Sequence, residues 1–157
     1  MRAFCLTFCL VVLAACASEP APPSPEQAAL FAQPVDAELV VVAKPNAMAF
    51  ATTEITAPAG ATVRLVMDNS ATTSPAMLHN VVVLRAQGDI DRVGRAAAGA
   101  ANHLPDDPAV LAGTPIAPPG SRTAVVFTMP PAGRYPFVCT YPGHYQFMRG
   151  TLVSTPG

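Results

Sequence analysis

The sequence predicts an all-β fold, a sandwich of about seven or eight short antiparallel strands with one helical flap. Short runs of β-branched and apolar residues recur from Ala37 to Ser154, and turn residues separate them. The chain contains 18 Pro and 10 Gly among 157 residues, which indicates many turns and disfavours a helical bundle. Hydrophobic residues make up 51% of the chain, enough for the core of one domain preceded by a targeting segment.

The strands are placed on these runs in chain order. The turn residues Pro58-Ala59-Gly60 and Asp68-Asn69-Ser70 close two of the runs. The fourth run is apolar at consecutive positions, which predicts a central strand buried on both faces. Pro136 cannot donate to a strand ladder, so it predicts an edge, a bulge or a late start for its strand. The expected strands are Glu38–Ala43, Thr53–Thr56, Thr62–Met67, His79–Leu84, Arg122–Thr128, Tyr135–Cys139 and Thr151–Ser154.

One insertion interrupts the strand pattern. Gly88–Asn102 contains an Ala-rich run that follows Asp89, a residue suited to cap the N-terminus of a helix. We therefore expect a short helix in a flap outside the sandwich.

The first fifteen residues are typical of an export leader. Arg2 supplies the positive charge, and Phe4–Ala15 is an apolar stretch too short to span a bilayer, which needs about 20 residues. The leader ends in Leu-Ala-Ala followed by Cys16, which resembles a bacterial lipobox, in which the Cys receives a diacylglycerol and becomes the first mature residue. The alternative is an ordinary cleavable signal with a chance Cys, and either interpretation predicts an exported protein.

Residues 16–35 are expected to form a tether. They are rich in Pro and Ala and show no strand pattern, so we predict a partly extended segment between lipidated Cys16 and a domain at 36–157. Ala17 is not the Asp that retains lipoproteins in the inner membrane. The prediction is therefore a periplasmic or envelope protein held by its lipid, with the outer membrane favoured.

Cysteine content and charge restrict the classes of function that the sequence allows. Cys5 and Cys9 leave with the leader and Cys16 carries the lipid, so Cys139 is the one thiol left in the expected domain. A lone thiol in an oxidising compartment needs a protected role such as metal binding. The 9 basic and 10 acidic residues give no basic surface, which excludes nucleic acid as an expected partner.

Four side chains form a candidate copper site. Cys139, His144 and Met148 share one short loop in which Pro142-Gly143 supplies the turn, and His79 comes from a distant strand. Two imidazoles and a thiolate in a trigonal arrangement, with a weak axial thioether, are the ligands of blue-copper electron-transfer sites. Sulfur suits Cu(I) and nitrogen suits Cu(II), so such a set serves both oxidation states.

These residues also admit other interpretations. Cys139 could be a buried structural thiol. A Cys–His catalytic pair is conceivable, but no third group orients the His. Zinc would accept three of the ligands, but Met is a poor fourth. His103 is expected to be an ordinary surface residue. Three other Met residues are expected in the core: Met48, Met67 and Met129.

The motif CTYPGHYQFMRG, residues 139–150, resembles the copper loop of azurins in its Cys-x4-His-x3-Met spacing. The resemblance extends over roughly Ala37–Ser154, and the chain is also similar to auracyanins. It implies a Greek-key cupredoxin sandwich with one type 1 copper at one end. By this resemblance, the metal ligands are His79, Cys139, His144 and, axially, Met148. It also implies that Asn80 ties the two ligand-bearing segments together.

The sequence departs from azurins at two places beside this site. Leu78 stands where azurins have a Gly whose carbonyl approaches the metal axially, so the Leu78 carbonyl is a candidate weak axial ligand. The Trp that usually follows the His-Asn pair is replaced by Val81, and the azurin disulfide is absent.

The resemblance implies a one-electron carrier that exchanges electrons with redox proteins, such as cytochromes, reductases or oxidases, and that is not an enzyme. The alternative is a copper protein for storage or delivery. An enzyme such as a multicopper reductase would need a second copper motif, which the chain lacks. An apolar docking patch is expected around the copper loop, formed by Met77, Leu78, Tyr141, Pro142, Gly143 and Phe147.

Overall fold

The computed structural model describes residues 22–157. The leader and Cys16 lie outside the described residues, so the predictions for them remain predictions. None of the helices in the described part is long and apolar enough to cross a membrane.

Residues 22–157 form two facing sheets with eight strands, as the predicted sandwich requires. The three-stranded sheet has the order β1-β3-β6, and the five-stranded sheet has the order β2-β8-β7-β4-β5. The strands are β1 Ala37–Val42, β2 Glu54–Pro58, β3 Thr62–Asp68, β4 Val82–Leu84, β5 Val110–Gly113, β6 Arg122–Thr128, β7 Gly133–Val138 and β8 Arg149–Thr155. The helices are α1 Pro25–Ala32 and α2 Ile90–Ala96, and short 3-10 turns flank α2 and follow Gly143.

Alternating side chains build the core between the sheets. In β1, Leu39 and Val41 are buried, and in β2 the same alternation buries Ile55 and Ala57. These residues join one apolar cluster that extends to Cys139 and includes Met148. The metal-binding loop is therefore part of the core rather than an appendage to it.

Two strand pairs are parallel, and the prediction of a purely antiparallel sandwich is wrong for them. β1 pairs with β3, and β2 pairs with β8, in both cases in the same direction. The physical reason is the crossover between sheets: β1 and β3 are separated by β2, which lies in the other sheet. A strand that returns after such a crossover runs parallel to its neighbour.

The central part of the five-stranded sheet differs from the predicted pattern. The predicted strand from His79 begins as an isolated bridge to Ala117, and the regular ladder starts only at β4. β5 was not predicted, because its four residues include a Gly and lack an alternating pattern. Pro136 is tolerated because β4 pairs only with Phe137 and Val138, so Pro136 has β8 alone as a neighbour in the sheet.

The N-terminal segment contains a helix, so the prediction of a partly extended segment is wrong for α1. Ser24 caps it: the Ser24 hydroxyl accepts a hydrogen bond of 3.2 Å from the N–H of Gln27. Pro25 occupies the first helical position, where its missing N–H costs nothing. The Pro and Ala content that indicated a tether also fits this short capped helix.

The predicted flap helix is confirmed as α2, which packs on the outer face of the five-stranded sheet. Ile90 and Val93 join a second apolar cluster with Val82 and Tyr145. The expected cap is different, since the Asp89 side chain caps no backbone N–H and instead pairs with Arg92 at 2.7 Å. Tyr145 follows the ligand His144, so this cluster fastens the flap to the metal-binding loop.

We predict that Gly94→Ala lowers the melting temperature of the copper-loaded protein, although Ala favours helices by about 1 kcal/mol over Gly. A Cβ at Gly94 would lie 2.4 Å from Cγ of Tyr145, and overpacking of this kind typically costs about 1–3 kcal/mol. Gly99→Ala is the matched control, because a Cβ there meets nothing within 4 Å. A Gly94→Ala protein that melts at or above the wild-type temperature would contradict this packing.

Candidate metal centre

Two segments far apart in sequence bring the predicted ligands together. Cys139 directly follows β7, and its N–H donates to the carbonyl of Met148 at 3.1 Å, which closes the loop between them. Gly143 has φ of +82°, a conformation that a residue with a Cβ rarely adopts, and it turns the chain into the 3-10 turn that starts at His144. His79 is held from the other side by its backbone bridge to Ala117.

Three donor atoms converge inside this end of the sandwich. The Nδ1 atoms of His79 and His144 are 3.2 Å apart, and the Cys139 Sγ lies 3.9 Å from the first and 3.6 Å from the second. A point in the plane of the three atoms lies about 2.1 Å from each, within the range of about 2.0–2.3 Å for metal bonds to His nitrogen and Cys sulfur. The residues present therefore fit a trigonal metal site.

Burial keeps both imidazoles neutral. Burial and, to a smaller extent, the neighbouring His144 together lower the pKa of His79 to about 4. Burial also lowers the pKa of His144. Neutral imidazoles keep a lone pair for a metal at neutral pH. His79 Nε2 is buried and has no hydrogen-bond partner among the described residues, so Nδ1 is the nitrogen that the fold directs at the other two donors.

The thiol of Cys139 is also uncharged without a metal. Burial raises its pKa to about 11, and hydrogen bonds from the backbone N–H groups of Asn80 and Tyr141 only partly oppose this effect. The same two N–H groups are aimed at the sulfur, where they stabilise the thiolate once a cation replaces the proton. The site is thus prepared for a thiolate that forms on metal binding.

Asn80 connects the two ligand-bearing segments, as the resemblance implied. Its Oδ1 accepts a hydrogen bond of 2.8 Å from the N–H of Thr140, and its Nδ2 donates to the Thr140 hydroxyl at 2.8 Å. Both side chains are fully buried. A residue beside His79 is thereby fixed to a residue beside Cys139.

A second buried amide, which the sequence analysis did not identify, supports the His79 segment. Nδ2 of Asn69 donates to the carbonyl of Met77 at 2.8 Å and to that of Ala117 at 3.0 Å. Asn69 lies in the Asp-Asn-Ser segment that was interpreted only as a turn. The local sequence around Asn69 carries no signal that distinguishes this residue from an ordinary turn residue.

The remaining predicted site residues lie around these three donors. Met148 is fully buried in the same core, and Leu78 precedes His79 and is half-buried. Their roles as axial thioether and weak axial carbonyl stay predictions. Of the docking-patch residues, Phe147 is 65% exposed. Pro142 and Gly143 are also exposed, whereas Met77 and Tyr141 are half-buried.

Two minor predictions need correction. His103 is half-buried rather than an ordinary surface residue, because its ring packs edge-on against Tyr141 with centroids 5.0 Å apart. Tyr141 in turn contacts the ring of the ligand His144 at 4.9 Å. Met67 and Met129 are buried as expected, but Met48 is 44% exposed and does not belong to the core.

Comparison with known proteins agrees with this site. A family model for copper binding proteins of the plastocyanin/azurin family matches residues 37–154. Auracyanin-A of Chloroflexus aurantiacus is 35% identical over 153 residues, which cover 94% of this chain and 91% of the relative.

Two solved structures match the fold as well. Auracyanin B superposes with a TM-score of 0.71 at 35% identity, covering 79% of this chain and 92% of that one. Auracyanin A, described as a "blue" copper protein from Chloroflexus aurantiacus, gives a TM-score of 0.65 at 34% identity, covering 74% and 97%.

The chain belongs to the plastocyanin/azurin family of copper-binding proteins. The predicted azurin-like cupredoxin sandwich, related to auracyanins, is confirmed. The buried group of His79, Cys139 and His144 fits one type 1 copper, as predicted. The fold, the relatives and this site together fit a blue-copper electron carrier.

We predict that the affinity for Cu(I) rises about tenfold per pH unit between pH 7 and 9. In this range both imidazoles are already neutral, because the pKa of His79 is about 4 and burial lowers that of His144, but the Cys139 thiol, whose pKa is about 11, must lose a proton for each ion bound. Competition with a chelator, corrected for the chelator's own protonation, measures the slope. Any residual Cu(I) binding by Cys139→Ser should not show this pH dependence. A wild-type affinity that does not change with pH would contradict a protonated Cys139 thiol.

Proposed function

We propose that this protein carries single electrons between redox proteins at the cell envelope, as a lipid-anchored carrier rather than an enzyme. The observation that carries this proposal is the closed site, in which three donor atoms converge on one point inside the core. The donor residues are at most 5% exposed. Such a site leaves an ion little contact with water or with a substrate.

The copper ion supplies a one-electron couple between Cu(II) and Cu(I). The protein keeps its ligands in one arrangement for both states. Asn80 and Thr140 fix the two segments to each other, and the bond from Cys139 to the Met148 carbonyl closes the loop. Because these hydrogen bonds hold the two segments whatever the charge of the ion, little rearrangement accompanies a change of charge. Small rearrangement favours rapid outer-sphere transfer.

Electrons are proposed to enter and leave through His144. Its side chain is 5% exposed, whereas that of His79 is not exposed at all. His144 lies between exposed Pro142-Gly143 and exposed Phe147, within the predicted docking patch. An apolar patch of this kind suits brief contacts, since transient redox encounters use small interfaces. Cytochromes, reductases or oxidases are the proposed partners.

A role in copper storage or delivery is the second candidate. Delivery requires that an acceptor protein reach the ligands and displace them. The burial of Cys139 and His79 opposes such an exchange. The electron-carrier proposal is therefore favoured.

The fourth ligand is proposed to be the Met148 thioether. Met148 is fully buried in the core cluster that contains Cys139, and its N–H donates to the His144 carbonyl at 2.8 Å. This bond fixes its backbone one turn away from a ligand. A half-buried Leu78, next to His79, is the proposed source of a weaker axial carbonyl.

Membrane attachment is proposed to depend on the lipidation of Cys16. The support is the sequence alone: an apolar stretch of leader length, followed by Leu-Ala-Ala-Cys. Export to the periplasm and retention by the lipid, with the outer membrane favoured, follow from the same motif.

We expect Phe147→Asp to slow electron self-exchange, and exchange with a redox partner, by at least tenfold while the blue absorption spectrum is kept. Phe147 is 65% exposed, so a charge there impairs docking without being forced into the core. Ala132→Asp adds the same charge in the exposed turn between β6 and β7, at the opposite end of the sandwich. Equal rates for the two variants would show that the patch is not the docking surface.

Met148→Gln should lower the reduction potential while a copper site is retained. A thioether favours Cu(I) more than an amide oxygen does. Voltammetry of the wild type and the variant measures the change, and Met129→Gln, at a buried Met outside the loop, controls for general loss of packing. An unchanged or higher potential in Met148→Gln would remove Met148 from the ligand set.

Cys16→Ala should release the protein from membranes or prevent its maturation. Mass spectrometry of the mature N-terminus and fractionation of cells test this directly, and Cys9→Ala serves as a control within the leader. A wild-type protein that is wholly soluble, with no acyl group on its N-terminus, would refute the lipid anchor.

A further inference from the structure

Helix α1 is fastened to the sandwich by a buried side chain. Gln27 is only 8% exposed, and its amide exchanges two hydrogen bonds with one backbone position of β6. Its Oε1 accepts from the N–H of Ala124 at 2.6 Å, and its Nε2 donates to the Ala124 carbonyl at 3.2 Å. β6 is an edge strand, so Gln27 occupies the place that a neighbouring strand would take.

The other end of α1 is held by a second buried polar group. Arg64 of β3 is 8% exposed, and its Nε donates to the Leu30 carbonyl at 2.8 Å, while its guanidinium also bonds the Gln33 carbonyl. Phe31 packs on the guanidinium of Arg122, whose carbon lies 5.5 Å from the ring centroid. An isolated helix of eight residues is not stable in water, so these contacts determine where α1 lies.

The docked helix brings the chain into the domain at its metal-binding end. Pro22 and Pro23 line one groove with Ser70 and with the segment 120–122. The backbone of Asn69 bonds both Gly120 and Ser121, at 3.1 and 3.0 Å. The side chain of Asn69 supports the segments on either side of His79, as described above. Pro22 thus lies at the end of the sandwich where Asn69 supports the segment of the His79 ligand.

The C-terminus lies at the opposite end of the sandwich. β8 starts directly after Met148 and runs away from the metal-binding loop to Thr155. Gly157 lies beside the Ala59 carbonyl, in the turn between β2 and β3, at 3.5 Å from an ideal Cβ. A strand of this length spans about 20 Å, so the two ends of the described chain are separated by roughly that distance.

We propose that α1 turns the metal-binding end of the domain toward the membrane, so that the protein serves redox partners bound to that same membrane. This inference rests on the proposed lipid anchor at Cys16. The chain from Cys16 to Pro22 spans at most about 20 Å in any conformation. If α1 were not docked, the chain from Cys16 to Asp36 could extend to about 70 Å. The docked helix therefore limits the distance between the His144 patch and the lipid surface.

Energy transfer from the membrane to the copper chromophore tests this orientation. Residues 16–157, loaded with copper, are coupled through the Cys16 thiol to vesicles that contain maleimide-lipid and a headgroup dye whose emission overlaps the blue band. Cys139 is buried and metal-bound, so it does not react. The matched sample carries Cys16→Ser and Gly157→Cys, which attaches the same domain by its other end.

The Cys16-coupled protein should quench the dye several-fold more strongly than the Gly157→Cys protein, because energy transfer falls steeply with distance. Equal quenching, or stronger quenching from the C-terminal attachment, would overturn the proposed orientation. Absorption spectra and reduction by ascorbate are recorded for both samples in solution. Loss of the blue band or of reversible reduction would count against the carrier function itself, so the two failures are distinguishable.

The role of α1 is tested with Gln27→Ala combined with Phe31→Ala in the Cys16-coupled protein. Release of the helix, verified by hydrogen exchange of its amides, lengthens the chain to the anchor and should lower the quenching at least twofold. Glu26→Gln, on the exposed side of α1, should leave it unchanged. Unchanged quenching after verified release would show that α1 does not orient the domain.

Discussion

The structure depends on holding two imidazoles and one thiol together from segments about sixty residues apart, inside an apolar core. Burial of such groups without partners costs roughly 1–3 kcal/mol each. The fold limits this cost by keeping all three uncharged: burial lowers the pKa of His79 to about 4 and raises that of Cys139 to about 11. Packing in the rest of the sandwich must therefore offset the free-energy cost of these buried donor atoms, which a bound metal ion would partner.

The metal-binding loop is held from two sides. On the inner side, Asn80 and Thr140 fix it to the strand region of His79. On the outer side, Tyr145 packs in the cluster of α2, and the Tyr145 carbonyl accepts a hydrogen bond of 2.7 Å from Arg149 Nε. A loop fixed on both sides keeps its position when the charge of the ion changes. Electron transfer with little rearrangement requires this.

The sequence predicted the parts of the molecule that local chemistry decides. The ligand motif and most strands follow from residue type, spacing and turn residues, because metal-donor side chains and β-branched runs can be recognised from the local sequence alone. Asn69, β5 and the parallel pairing of β1 with β3 were missed, since each depends on which distant segments become neighbours. The helix α1 was missed for a related reason. Its composition fits a tether, and its stability comes from Ala124 and Arg64, which lie far along the chain.

The proposed orientation, which α1 and the lipid anchor give the domain, explains why a small docking patch is sufficient. In the proposed orientation, the carrier and its partner are confined to one thin layer at the membrane surface. Confinement raises the effective concentration of one protein around the other, so productive encounters do not need tight binding. A small apolar patch around Phe147 and Pro142-Gly143 then suffices, and its weak hold allows rapid release after transfer. A carrier without such confinement would need either a larger interface or charges that steer its partner, and the six residues of the docking patch carry no charge.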